Sequence, residues 1–417
     1  MVVRSGKGEA GMVAILGLAV GLMSFEQLSV SYLMPFIKPY LQLTNAQVGL
    51  LLSAYWVAFA VSSYVTGTLA ESLGKRKSFL VIATMAIAVC SVLSGLAFSF
   101  GLLLVARSLM GVLEGPVVPL AQSILALESS VERRGINMGI VGGLCANLLG
   151  IFIAPLVLVQ IAVIYGWRTG FFVGVLPGLI CAALVARFIR EPAADFVRQS
   201  SAGAKAQGRK ALIDVLRFRN VWLCAALCCC FVAYLSIGFA FLPLFYVNVR
   251  QFSSPQMSFL MGLLGMSSIL YAVILPMASD RLGRKPVMVA ASLLSLLCPL
   301  AALYYRGPMI MFALLLFIGW ALSGTASLST GTIPSETVPA RSISTAIGLI
   351  VSLGVIVGGL VGPSVAGWSA DHWGLQAPLI LQAGCAGAAA LAAIGLRETA
   401  PRRISKAAAP LAPAVHQ

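Results

Sequence analysis

Hydrophobic positions in this chain form long runs separated by short polar segments. A helix needs about 20 consecutive apolar residues to cross the hydrocarbon layer of a bilayer. Runs of that length predict membrane helices over residues 12–36, 47–69, 78–98, 102–126, 136–160, 170–188, 221–246, 256–278, 287–305, 308–333, 343–367 and 377–396. The pattern therefore predicts an all-α membrane protein with twelve transmembrane helices, embedded in a lipid bilayer.

Composition excludes the soluble classes of protein, because 59% of the 417 residues are hydrophobic and only 10% are charged. The net charge of +15 would fit a nucleic-acid-binding surface. However, Lys38, Arg168, Arg250 and Arg306 lie on one side of the predicted helices, Arg107 lies inside a run, and all other cations lie on the side of both termini. Since cations favour cytoplasmic loops, we expect a multi-pass protein of the cytoplasmic (inner) membrane, both termini in the cytoplasm and no nucleic-acid partner.

The nine cysteines all fall within predicted spans, and we expect no disulfides. The run of Cys224, Cys228, Cys229 and Cys230 could suggest a soft metal site, but no His or carboxylate lies near it in sequence. Helix packing is the simpler interpretation. The chain also has no Walker pattern and no intramembrane His or Asp cluster. We therefore expect no metal, no cofactor, no ATP-driven pump and no enzyme.

An internal repeat defines the domain organisation. The segment Ala70–Arg76 after helix 2 recurs as Ser279–Lys285 after helix 8, each with an acid three residues before a Gly and two cations after it. Pro155 and Pro363 repeat at nearly the same interval. The repeat predicts two pseudo-symmetric six-helix bundles, residues 1–188 and 220–396, joined by a cytoplasmic linker at 189–219 and followed by a cytoplasmic tail at 397–417.

Helices 5 and 11 each carry small residues at every fourth position, which permits either close packing or sliding against a neighbour. The positions are Gly142, Ala146, Gly150, Ala154 and Gly354, Gly358, Gly362, Ala366.

Arg107 and Glu114 are two charges inside the fourth apolar run. Seven residues make two helical turns, which places both side chains on one helix face about 10 Å apart. A charge in the hydrocarbon layer costs about 2.5–3.5 kcal/mol even on insertion scales, and such groups normally face a protein interior or a watery path. This pair is therefore the first candidate for function.

With these residues the chain resembles the major facilitator superfamily from helix 1 to helix 12. The loop after helix 2 is similar to the signature loop of that family, with Glu71 where Asp is usual, and helix 4 with Arg107, Gly111, Gly115 and Pro119 is similar to a second signature. The resemblance implies the major facilitator fold and cytoplasmic gating by the two loop copies. The implied gating residues are Gly67, Glu71, Gly74, Lys75, Arg76, Asp280, Arg281, Gly283 and Arg284.

Arg107, Gly111 and Glu114, with Glu132–Gly135 and Tyr165–Arg168, further resemble the anion:cation symporter branch. In that branch the helix 4 Glu carries the proton and the substrates are organic acids such as sugar acids. Ser24 and Phe25 replace the Asp-Arg pair usual in helix 1, which removes a carboxylate clamp, so sugar-acid specificity is not carried over.

Glu26 follows directly and lies on a helix that lines the central path in the family. We predict that Glu114 is the main proton site, that Glu26 is a second proton or substrate-recognition site, and that Arg107 tunes Glu114 or receives an anionic substrate. Three structural alternatives stay open: Arg107 braces helix 4 against helix 1 carbonyls, Glu114 is its static partner, and Glu26 is a cavity residue without a coupling role.

Polar and aromatic residues within the spans complete the candidate substrate site, although packing explains most Tyr and Trp residues in membrane helices. The candidates are Gln27, Tyr32, Tyr55, Trp56, Gln122, Asn147, Tyr234, Tyr271, Trp320 and Ser323.

The sequence thus predicts a monomeric secondary transporter that couples protons to a small-molecule substrate by alternating access. We expect uptake of a small organic anion, most simply a carboxylate. The alternative is a proton-antiporting exporter of drugs or metabolites, although the helix 5 exporter signature is incomplete because Ala154 precedes Pro155 and no paired Gly follows.

Overall fold

A computed structural model describes residues 6–73, 75–130, 133–191, 214–339 and 342–400. The predicted gating residue Gly74, most of the predicted linker and residues 401–417 of the predicted tail lie outside the described residues. The side chains of Gly67 and Glu71 also lie outside them.

Twelve helices in the described part of the chain are long and apolar enough to cross a membrane. They are α1 (Gly8–Leu41), α2 (Asn45–Thr66), α3 (Arg76–Gly95), α4 (Phe100–Glu128), α5 (Arg134–Tyr165), α6 (Trp167–Phe188), α7 (Arg219–Asn248), α8 (Ser254–Leu282), α9 (Arg284–Tyr304), α10 (Met309–Thr337), α11 (Ile343–Trp373) and α12 (Gln376–Ile394). The predicted all-α, twelve-helix fold class is confirmed.

Several helices run beyond the apolar segment that predicted them. α5 continues to Tyr165 and α11 to Trp373, and each ends at a glycine with positive φ, Gly166 at 88° and Gly374 at 79°. Glycine adopts this conformation without steric cost and so terminates a helix readily. The matching ends of α5 and α11 repeat the two-fold pattern seen in the sequence.

The small-residue stripes of α5 and α11 coincide with π-helical segments, Asn147–Ile153 and Gly354–Val361. A Cβ atom at Gly150 would lie 2.5 Å from the Cβ of Ser24 in α1, and one at Gly358 would lie 2.5 Å from the carbonyl oxygen of Cys229 in α7. Glycine is required at these two positions because the neighbouring backbone fills the space. Close packing, one of the two predicted roles of the stripe, is thus observed at both.

The helix bundle has two ends, the terminal face and the distal face. The terminal face is the end at which α1 begins and α12 ends, and the distal face is the opposite end. At the distal face α2 packs along α11, where Ser53 donates a hydrogen bond to the carbonyl of Leu360 at 2.7 Å. Nearby, α8 packs on α5, where Gly265 approaches the backbone of Ile151. The two six-helix halves are therefore joined at the distal face.

Each half also closes on itself at the terminal face through a carboxylate that follows its last helix. Glu191 accepts hydrogen bonds from the N–H groups of Lys77 at 2.9 Å and Ser78 at 3.4 Å. Glu398 accepts from those of Arg284 at 2.8 Å and Lys285 at 3.2 Å. The two carboxylates cap the first turns of α3 and α9, where free N–H groups and the helix dipole favour negative charge.

Glu398 belongs to the predicted tail. Its burial disfavours the charged form, but hydrogen bonds from the backbone N–H groups of Ala400, Arg284, Lys285 and Thr399 outweigh burial and hold the pKa of Glu398 below its usual value.

Candidate functional site

Arg107 lies on α4 and is almost completely buried, with 1% of its surface exposed. Its guanidinium donates to the backbone carbonyl of Glu26 at 3.2 Å and to that of Gln27 at 2.6 Å. It also lies over the ring of Tyr55, 5.4 Å from the centroid. Arg107 therefore braces α4 against α1, which is the contact that the sequence left open as an alternative.

Glu114 lies two turns further along α4 and is fully buried. Its Oε2 accepts a hydrogen bond from the Tyr55 hydroxyl at 2.5 Å, and its Oε1 has no hydrogen-bond partner among the described residues. Gly111 makes this arrangement possible, because a Cβ there would lie 2.5 Å from the carbonyl oxygen of Tyr55. The absent side chain lets α2 approach α4 so closely that the Tyr55 side chain contacts both Arg107 and Glu114.

Glu26 lies on α1, 4% exposed, and its carboxyl group is directed into the bundle formed with α3 and α6. Its Oε2 is 2.6 Å from the hydroxyl of Ser91 on α3. Its Oε1 occupies the space beside Gly174, where any Cβ would overlap it. Glu26 is thus held by the bundle interior, in a pocket built by Ser91 and Gly174.

The Ser91 hydroxyl makes two short contacts, 2.6 Å to Glu26 Oε2 and 2.7 Å to the carbonyl oxygen of Phe171. A hydroxyl has one proton to donate, and a backbone carbonyl has none. The two contacts are separate two-centre hydrogen bonds only if the Glu26 carboxyl donates its own proton to Ser91. The geometry of this pocket therefore fits the protonated form of Glu26.

The three ionisable groups Glu26, Arg107 and Glu114 together contain two acids and one base, all buried. An ionised carboxylate with an unpartnered oxygen in a low-dielectric interior is costly. Arg107 compensates one negative charge, which leaves one carboxyl neutral when the cluster as a whole is neutral.

A cavity of about 540 Å³ lies between α5, α7, α8 and α10, on the terminal side of the contacts that join the halves. It extends to Ile136 near the terminal end of α5. Of the predicted substrate residues, Asn147 and Ser323 line this cavity.

Several other predicted substrate residues have hydroxyl groups that are already used within the protein. Tyr32 donates to the carbonyl of Gly150 at 3.1 Å, and Tyr271 donates to that of Ile318 at 2.9 Å. Tyr234 contacts the carbonyls of Ser295 at 3.0 Å and Gly319 at 2.9 Å. These contacts hold helices together and need no substrate.

The remaining candidates lie at helix contacts. Trp320 is fully buried, and its ring packs against Tyr234 at 5.2 Å between centroids. Trp56 packs against Gly359 of α11, and Gln122 lies beside Gly142 of α5. The structure thus separates the predicted substrate set into two cavity residues, the residues around Arg107, and packing residues.

The second copy of the signature loop forms a charged cluster at the terminal face. Arg284 donates to Asp280 at 2.5 Å, to Glu336 of α10 at 2.7 Å and to the Ser279 hydroxyl at 2.6 Å. Gly283 takes a φ of 104° between α8 and α9. Arg281 is exposed beside this cluster.

The first copy is described only in part. Lys75 precedes α3 and is exposed, and the side chain of Arg76 is buried, with 7% exposed.

Sequence reasoning missed four residues that complete the contacts described above: Ser91, Gly174, Glu336 and Glu398. For Glu398 a signal existed, because Arg190-Glu191 recurs as Arg397-Glu398 at the end of the second half. Ser91 and Gly174 gave none, since small residues are common in every span.

Comparison with known proteins agrees with this architecture of twelve membrane-spanning helices. The sequence profile of the Major Facilitator Superfamily matches residues 16–353 and 268–416. The chain therefore belongs to the Major Facilitator Superfamily, a family of membrane transporters and not of enzymes.

Curated relatives are similar over most of their length. The probable sulfoacetate transporter SauU of Cupriavidus necator is 25% identical over 388 residues, which are 88% of this chain and 89% of that protein. The probable 4-methylmuconolactone transporter of Cupriavidus pinatubonensis is 27% identical over 344 residues, 81% of this chain and 78% of that protein. Multidrug resistance protein MdtG of Rahnella sp. is 28% identical over 287 residues, with coverages of 65% and 67%.

Solved structures share the fold. A D-xylose-proton symporter superposes with a TM-score of 0.72 at 16% identity, covering 94% of this chain and 98% of that one. A bacterial homolog of the human lysosomal transporter Spinster, in an inward-facing and occupied conformation, gives a TM-score of 0.75 at 18% identity, covering 94% and 97%.

Proposed function

We propose that this transporter is a proton-coupled symporter that takes up a small organic anion across the cytoplasmic membrane. The observation that carries the proposal is the buried cluster of Arg107, Glu114 and Glu26, in which two acids share one base. Intramembrane ionisable groups of this kind mark proton relays and substrate paths. The names of the relatives, which transport sulfoacetate and 4-methylmuconolactone, support an organic anion as the substrate class.

In this proposal Glu114 is the principal proton carrier. Its Oε2 is held by Tyr55, while its Oε1, which has no partner in the part of the chain that the structure describes, can take a proton without breaking a described contact. Arg107 stays fixed on α1 carbonyls, and its positive charge on the same helix stabilises the deprotonated carboxylate of Glu114 electrostatically. Loading the proton neutralises the Glu114 carboxylate, and a neutral carboxyl group is less costly to keep in the membrane interior while the two halves move.

The terminal face is cytoplasmic in this proposal, as the distribution of cations favours. The structure then corresponds to an inward-facing state, closed on the outside by the α2–α11 and α5–α8 contacts. Return to the outward-facing state would separate those contacts and bring the halves together at the terminal face. The Arg284, Asp280 and Glu336 cluster lies on that face and is the proposed cytoplasmic gate.

Proteoliposomes loaded with the pH indicator pyranine test the coupling. We expect an imposed gradient of the organic acid to drive proton entry in the wild type and none in Glu114→Gln. The variant should still exchange substrate across the membrane, because exchange needs no net proton movement. Proton entry that is unchanged in Glu114→Gln would rule out Glu114 as the carrier.

A proton-antiporting exporter is the second candidate, favoured by the predominantly apolar cavity and by the similarity to multidrug resistance protein MdtG. The two functions differ in the direction of linked flux. In the same vesicles a symporter moves protons with the substrate, whereas an exporter moves them against it.

A further inference from the structure

The cavity between α5, α7, α8 and α10 has walls made mainly of hydrocarbon. Phe231 and Leu235 of α7 face Ile269 of α8 and Ile151 of α5 across it. Its volume of about 540 Å³ is within the range of about 300–1,000 Å³ found for small-molecule sites. Most of the surface of a ligand in this cavity would contact apolar side chains.

Few polar groups in the lining are available to a ligand. Ser268 donates its proton to the carbonyl of Leu264 at 2.9 Å, and Ser323 donates to that of Trp320 at 2.7 Å. Towards a ligand, both hydroxyls can therefore only accept a hydrogen bond. Among the lining residues, the Asn147 amide and the Ser327 hydroxyl have no hydrogen-bond partner in the described part of the chain. These two side chains are the hydrogen-bond donors that remain available to a ligand.

Charge is also missing from the walls. None of the described side chains that line the cavity is ionisable. In the sequence of the second half, the stretch from Asn220 to Ser279 contains a single charged residue, Arg250, near the distal end of α7. Arg107 is bound to α1 carbonyls and is only 1% exposed. A multiply charged ligand would therefore lose its hydration in this cavity without gaining a counter-charge.

We propose that this cavity selects monocarboxylic acids with a compact apolar body, and that Asn147 and Ser327 recognise the carboxyl group. This selectivity rests on the proposed function as an organic-acid carrier. The amide of Asn147 and the hydroxyl of Ser327 supply the donors that a single carboxyl group requires, and the hydrocarbon walls cover the body. Sugar acids are disfavoured, because their several hydroxyl groups would be buried with too few partners.

A matched pair of acids tests this selectivity directly. Cyclohexanecarboxylate and glucuronate both carry one carboxylate on a six-membered ring, and they differ in the ring oxygen and the hydroxyl groups. Ligand-induced stabilisation of the purified full-length protein gives an apparent Kd for each. We expect cyclohexanecarboxylate to bind at least tenfold more tightly than glucuronate, and tricarballylate, which has three carboxylates, to bind more weakly than both.

Variants at the two donors test the recognition residues. Asn147→Ala and Ser327→Ala should each weaken cyclohexanecarboxylate binding at least fivefold. Asn248→Ala, which changes the same residue type at an exposed position near the distal end of α7, should leave binding unchanged. Melting of the ligand-free proteins shows that each variant is folded.

Glucuronate binding as tight as cyclohexanecarboxylate, or binding of neither, would overturn the proposed selectivity. Unchanged affinity in both donor variants would overturn the role of Asn147 and Ser327. These binding outcomes are independent of proton movement, so a failure of the pyranine experiment with the selectivity intact would reject proton coupling alone.

Discussion

Asp371, near the end of α11, caps the start of α2 at Asn45 in the other half of the molecule. Its two carboxylate oxygens accept hydrogen bonds from the N–H groups of Asn45 and Ala46, both at 2.8 Å. Lys38 of α1 also contacts the side chain of Asn45. A negative charge at a helix N-terminus satisfies free N–H groups and the helix dipole. Asp371 therefore joins the two halves at the distal face and stabilises the closed arrangement there.

Asp371→Ala should favour opening of the distal face. Losing two charge-assisted hydrogen bonds costs the closed state about 1–3 kcal/mol, which is roughly a 5-fold to 150-fold shift in population. Hydrogen exchange measured by mass spectrometry should show faster exchange over residues 45–56 and 359–373. The amides near Arg284, at the other face, should not exchange faster.

His372→Ala is the matched control for that variant. His372 is adjacent and exposed, and its ring contacts the carbonyl of Trp368 within its own helix. Its removal should leave exchange in α2 unchanged. Equal exchange rates in the wild type and Asp371→Ala would show that the cap does not contribute to closure.

The hydrogen-bond pattern at Ser91 predicts how substitutions of Glu26 behave. Glutamine reproduces a protonated carboxyl group, because its NH₂ can donate to Ser91 while Ser91 donates to the Phe171 carbonyl. Glu26→Gln should therefore melt within about 1 °C of the wild type. Ser91→Ala removes the hydroxyl that contacts Glu26 Oε2 and the Phe171 carbonyl, at a cost of about 1–3 kcal/mol, and should lower the melting temperature by about 2–4 °C.

Ser94→Ala controls for loss of a buried hydroxyl on the same helix, because Ser94 bonds only to the Cys90 carbonyl one turn earlier. It should have a smaller effect than Ser91→Ala. A large loss of stability in Glu26→Gln would indicate that Glu26 is ionised in this state.

Hydropathy predicted the twelve helices because a backbone in lipid must satisfy its own hydrogen bonds, which leaves long helices as the solution. Hydropathy could not predict the direction in which the Glu26 side chain points from α1. A helix that is apolar on all sides carries no periodic signal that fixes its rotation, and the pocket for Glu26 depends on Gly174, far along the chain. Tyr234 and Trp320 were predicted to contact substrate for the same reason, since a buried aromatic and a cavity aromatic look alike in sequence.

Arg107 and Glu114 were placed correctly relative to each other by their spacing along one helix. The helix 1 carbonyls were one of the alternatives predicted for Arg107, but the contacts with Tyr55 were not predicted, because they depend on the close approach of α2 to α4 permitted by Gly111. The contact between Asp371 and α2 depends on how the two halves dock, which no local pattern encodes. The domain boundaries and the roles of the gating residues stay predictions.

Glu398→Gln should destabilise the protein in a pH-dependent way. The pKa of Glu398 is below its usual value in the folded protein, so its ionised form contributes stability above the unfolded pKa, and that contribution is lost as pH falls through the folded pKa. Loss of a helix cap costs about 0.5–2 kcal/mol. Thermal melts should show a lower melting temperature than in the wild type near pH 7, and this difference should shrink below a pH of about 4. A difference that does not depend on pH would contradict the role of the ionised Glu398 carboxylate as a helix cap.

Tyr55→Phe tests whether the hydroxyl bound to Glu114 sets the pH range of transport. Phenylalanine keeps the ring over Arg107 and removes the only donor to Glu114 Oε2. Without that donor the ionised carboxylate is less stable, and proton release requires a higher pH. The pH at which substrate uptake into proteoliposomes is half-maximal should therefore rise by about one unit. Tyr32→Phe is the matched control, because Tyr32 bonds to the carbonyl of Gly150 and not to an acid. Its pH profile should coincide with that of the wild type even if its rate falls, and an equal displacement in both variants would mean that Tyr55 acts through packing.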